Sequence, residues 1–145
     1  MTALIAETRI ARPAEQVWEL LADYGNDPRW RRGVATMDPR PVGLVTTGTR
    51  TAEELRFGGR TYHNDGEVIA VDPGARFTWR TTSGVAATGS RAVTPTAAGD
   101  CIVRLETRLQ PRGSERIVVL LLGWLLRHNL IRDLERLREL AESAK

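Results

Sequence analysis

The sequence predicts an α+β fold: a curved antiparallel sheet of about seven strands, two short helices after the first strand, and one long C-terminal helix. Three observations carry this. Residues 34 to about 110 contain only strand-like segments separated by turn signals. From Ser114 onward the chain has no proline and a single glycine. Between the first strand and the meander lies a proline-started amphipathic stretch. The 145 residues fit one domain, residues 1–145, large enough to bury a core without disulfides.

Each element has a local reason. Residues 2–10 alternate in polarity and read as a strand. Pro13 stands where a helix begins, with Glu15 in its first turn. Val17, Leu20, Leu21 and Tyr24 then recur at helical spacing. Gly25 ends that helix. Asn26 or Asp27 caps a second short one, with Pro28 in its first turn and Trp30 as its apolar anchor. Turn signals follow at Pro39–Gly43, Gly58-Gly59, Asp72-Pro73-Gly74, Ser83-Gly84 and Ala98-Gly99-Asp100, so the meander has about six strands. The last segment reads as one helix of about 28 residues, roughly 42 Å long. Laid across the concave face of the sheet, it leaves a cavity beneath it.

Strand parity predicts what faces that cavity. Val103 and Leu105 oppose Arg104 and Glu106, and Phe77 and Trp79 oppose Arg76 and Arg80. The same rule sends Tyr62, Asn64 and Val68 inward, and Thr51 and Leu55 with them. Two inward faces also carry charge, Glu53 and Arg91. A buried charge needs a partner, so either Glu53 and Arg91 pair with each other, or each meets a ligand group, or one or both sit solvated at the cavity mouth. On the long helix, Val119, Gly123, Leu126, Leu130, Leu134, Leu137 and Ala141 form the core-facing stripe. Gly123 is expected to withdraw volume where the helix roofs the cavity. Ion pairs Arg132–Glu135, Glu135–Arg138 and Arg138–Glu142 are expected on its wet face. Ile117, Leu121, Trp124 and Leu125, with His128, point away from the stripe and call for a second cover: a partner subunit, a membrane surface or a gating loop.

Composition narrows the function classes. Net charge is +3, and 20 of the 21 basic residues are arginines scattered among acids, which argues against nucleic-acid binding. The single cysteine, Cys101, excludes an internal disulfide and reads as a small buried thiol. The N-terminus lacks a secretory pattern, and the longest apolar run, Ile117 to Leu126, falls short of the roughly 20 residues that span a bilayer. A cytoplasmic location is expected. No phosphate loop, metal-ligand spacing or nucleophile elbow is present, so no metal or cofactor is expected. Asp23, Asp27 and Asp38 read as cap or turn carboxylates.

The stretch Ala11–Tyr24, followed by Pro28-Arg29-Trp30, resembles the opening of the START-like, Bet v 1-like superfamily. Its polyketide cyclase/dehydrase and lipid-transport branch is the most similar. Gly66–Trp79, Thr94-Pro95 and Arg132–Glu142 fit the same pattern. The resemblance implies a helix-grip fold and an apolar small molecule, and it leaves three functions open. The first is a carrier or sensor of a lipid, polyketide or isoprenoid, held by Thr51, Leu55, Asn64, Val68, Phe77, Trp79, Val103, Leu105, Val119, Gly123 and Leu126. The second is an enzyme for aldol cyclisation or dehydration, with Glu53 as base and Arg91, Tyr62 and Asn64 stabilising the oxyanion. The third is an interaction module that uses the outer apolar face of the last helix.

Overall fold

A computed structural model describes residues 2–110, 113 and 115–143. Strand β1 (Thr2–Ile10) leads into helix α1 (Ala14–Leu21), a 3-10 turn at Tyr24–Asn26 and the short helix α2 (Asp27–Trp30). Six strands follow: β2 (Val34–Arg40), β3 (Arg50–Phe57), β4 (Arg60–Asp72), β5 (Arg76–Ser83), β6 (Ala87–Pro95) and β7 (Cys101–Leu109). Helix α3 runs from Glu115 to Ser143. The strands form one antiparallel sheet in the order β1-β7-β6-β5-β4-β3-β2. It is a meander closed on one side by the first strand, curled around α3 in a helix-grip arrangement.

The alternation of inward apolar residues dictates the register. Leu4, Ala6 and Ile10 of β1 are buried, and so are Cys101, Val103 and Leu105 of β7 opposite them. In β4 the pairing with β5 slips between Val68 and Ala70, a bulge that leaves Ile69 exposed and turns Val71 against the core.

The interior has two ends. At one, α1 and the second half of α3 close on the sheet. Val17, Trp18 and Leu21 meet Phe77, Val93 and Val103 there, and Leu134, Leu137 and Ala141 cover them. Phe77 lies edge-on to Trp18 and to Tyr24, with ring centroids 6.0 and 5.7 Å apart. Val68, Phe77 and Val103 are consumed in this packing, so they belong to the core and not to a cavity wall. The reason is that α1 and the 3-10 turn fill the concave face at this end, which strand parity alone does not reveal.

The expected helical ion pairs are not the ones formed. Among the described residues, the pair within α3 is Arg136–Asp133, at 3.2 Å. Asp133 also accepts the backbone N–H of Arg32 at 3.1 Å and so ties the helix to the segment after α2. Glu142 accepts the N–H of Ala11, which pins the far end.

Candidate functional site

At the other end the sheet and helix stand apart around a cavity of about 1080 Å³. Thr51, Glu53 and Leu55 of β3, Tyr62 and Asn64 of β4 and Trp79 of β5 line it. Arg91 of β6, Leu105 of β7 and Leu126 of α3 complete the predicted set found on its wall. The side chains of Val119 and Leu121 lie outside the described residues. Gly123 is not among the wall residues, and a Cβ built there meets nothing within 4 Å, so no close packing demands the glycine. An ideal helical wheel puts Leu125 and His128 on the outer side. They instead line the cavity edge, Leu125 half-buried and His128 exposed. The exposed wall residues Gly58 and Arg60 on the β3–β4 hairpin, and His128, Asn129 and Arg132 on α3, mark where the cavity opens.

Two glycines shape the wall. Any side chain at Gly89 would collide with the Trp79 ring and the Glu106 carbonyl, so glycine lets the indole lie flat across β6. Gly84, at φ +82°, turns the β5–β6 connection so tightly that a Cβ would strike Asn64 and the backbone of His63. That turn brings the Val85 N–H to the Asn64 Oδ1 at 3.0 Å and fixes the amide's orientation.

A chain of charged groups separates cavity from core. Glu53 and Arg91 do face inward, but they do not pair with each other. Arg91 donates to both Asp27 oxygens, at 2.9 and 2.7 Å, and to the Leu21 carbonyl at 3.0 Å. Its guanidinium lies 4.6 Å from the Tyr24 ring centroid and 5.0 Å from that of Trp30. Arg31 bridges Asp27, at 3.0 Å, and Glu53, at 2.8 Å. The other Glu53 oxygen accepts from the Asn64 amide at 3.3 Å. The order is therefore Arg91, Asp27, Arg31, Glu53, Asn64, with two positive and two negative charges balanced.

Asp27 is 0% exposed, so it is no helix-capping carboxylate on the surface but the hub of this network. Asp23 and Asp38 keep the expected local roles: Asp23 accepts from Gly25, and Asp38 meets Arg40. Burial alone would lower the basicity of Arg91 and of Arg31; the adjacent carboxylates more than reverse this, so both stay charged. Burial drives the Tyr24 phenol well above its ordinary value, and Arg91 only partly opposes it. Burial also raises the Asp133 carboxyl, against the pull of the Arg32 N–H.

Sequence reasoning finds Glu53, Tyr62, Asn64 and Arg91 but misses Arg31 and Trp30 on the wall and the buried Asp27 that holds Arg91 and Arg31. The available signal is the inward Arg91 itself, whose charge demands an acid. Among the described residues, Trp30 Nε1 is the buried side-chain donor left without an acceptor.

The model of the polyketide cyclase/dehydrase and lipid transport family matches residues 1–142. The chain belongs to that family. Three solved structures place the family fold in its wider setting. The protein TTHA0849 from Thermus thermophilus is 20% identical with a TM-score of 0.81, covering 99% of this chain and all of that one (100%). The Zhui aromatase/cyclase from Streptomyces sp. R1128 is 15% identical with a TM-score of 0.81, over 97% and 93% of the two chains. Major latex-like protein 151 from Panax ginseng is 14% identical with a TM-score of 0.62, over 90% and 97%. These likenesses establish the START-like, Bet v 1-like fold. Among curated proteins, none matches the chain. Membership of the family supports a ligand-binding or cyclase function.

Proposed function

We propose that this protein binds an apolar small molecule of lipid, polyketide or isoprenoid type in the cavity, as a carrier or sensor. The observation that carries this reading is the state of the polar wall. Arg91, Asp27, Arg31 and Glu53 are already paired inside the protein, and both Glu53 oxygens are engaged as acceptors. A general base for C–H abstraction needs an oxygen free to meet the substrate. What the wall offers a guest is apolar surface from Leu55, Trp79, Leu105 and Leu126, with a few orienting groups such as Tyr62 and Asn64. Balanced charge along the network favours a neutral polar end over an anionic one.

Native mass spectrometry of the purified protein tests the reading. A retained, chemically unmodified apolar molecule is expected, and Glu53→Gln should retain it equally. The cyclase alternative predicts instead a converted product that Glu53→Gln no longer forms.

A further inference from the structure

The two halves of α3 differ in charge as well as in polarity. Residues 133–143 carry four carboxylates and two arginines. Residues 116–132 carry three arginines, one histidine and no carboxylate. On the first half an apolar ridge faces solvent: Ile117 is 62% exposed, Leu120 83% and Trp124 70%, and Ile131 continues it at 43%. Ile117, Leu120, Trp124, Arg127 and Ile131 recur every three or four residues, so they share one helix face, and exposed Arg116 stands beside its start. The other side of the same helix segment, at Leu125 and Leu126, lines the cavity.

We propose that this ridge docks on an anionic lipid surface. Charge disfavours the simplest alternative occupant, a second copy. In a symmetric pairing of two copies through the ridge, Arg116 and Arg127 would face the same segment of the other copy, and residues 116–132 hold no acid to answer them. An anionic bilayer answers both features at once. Leucine and isoleucine enter the boundary of the acyl chains, an indole settles at the headgroup level, and the arginines extend their stems to the phosphates. The helix would lie in the interface plane: among the described residues no helix is long and apolar enough to cross a membrane. Docked this way, the exposed cavity edge at His128 and Asn129 sits next to the lipid surface.

Vesicle flotation of the full chain tests the proposal. Binding is expected to mixed phosphatidylcholine–phosphatidylglycerol vesicles, weakly or not at all to pure phosphatidylcholine, and it should fall steeply with salt. Arg116→Glu combined with Arg127→Glu should weaken binding at least about thirty-fold, at roughly 1 kcal/mol per arginine lost. Leu120→Glu with Trp124→Glu should abolish it. These side chains are exposed, so the melting temperature should hold in each variant and show that the fold is intact. Absence of flotation at low salt, or equal flotation by the variants, would overturn the proposal. So would a dimer of the native chain that Trp124→Glu splits, since the ridge would then be covered by a second copy. Docking does not depend on a filled cavity, so this result and the ligand-retention result can fail separately.

Discussion

The two ends of the interior are built from the same residue types on the same strands, yet one is a core and the other a cavity. β5 places Phe77 in the core and Trp79 on the cavity wall, two residues further along one face. β4 does the same with Val68 and Asn64, and β6 with Val93 and Ala87. What differs is the cover. Over Phe77 lie Trp18 and Tyr24, whereas over Trp79 the helix stands off. The Arg91–Asp27 pair marks the border. The comparison teaches that a strand's inward face specifies burial, and that the inserted α1–α2 segment decides which part of that burial is solid.

That border can be broken first. Asp27→Ala leaves Arg91 buried and deprives Arg31 of one of its two carboxylates. The expected loss is about 3–5 kcal/mol, the cost of an uncompensated buried charge. Urea unfolding measures it, and a loss under about 1 kcal/mol, as for a surface pair, would mean the pair is solvated.

The same titration sharpens the contrast between the ends. Leu137→Ala, in the solid end, should cost about 2–5 kcal/mol because it opens a void among fully packed neighbours. Leu55→Ala, half-buried on the cavity wall, should cost clearly less, about 1 kcal/mol, because space already adjoins it. Equal losses at the two sites would show that the cavity end is packed as tightly as the core.

Much of this is legible in the sequence, for identifiable reasons. Strands and turns announce themselves because period-two alternation and left-handed glycines, as at Gly74 and Gly99, are local properties. Parity places Glu53, Tyr62, Asn64 and Arg91 on the concave face for the same reason. Their partners are not legible. Arg91 meets Asp27, 64 residues away in sequence, only because the α1–α2 segment folds back over β6, and no local pattern encodes that crossing. Parity also puts Val68, Phe77 and Val103 on the wall, because a valine or phenylalanine looks the same whether a helix or a ligand covers it. His128 and Leu125 point outward on an ideal helical wheel because the wheel assumes one cover, whereas a helix that stands off its sheet exposes a broader arc to the cavity.

The central claim is that an apolar guest enters the end under the first half of α3. Titration with an uncharged apolar fluorophore, in the native chain and in Leu126→Trp, tests it most directly, since the larger side chain intrudes from the helix into the cavity. The account predicts saturable one-site binding that weakens at least about ten-fold in Leu126→Trp, the equivalent of roughly 1.4 kcal/mol. Unsaturable binding, or saturable binding that Leu126→Trp leaves unchanged, would contradict it.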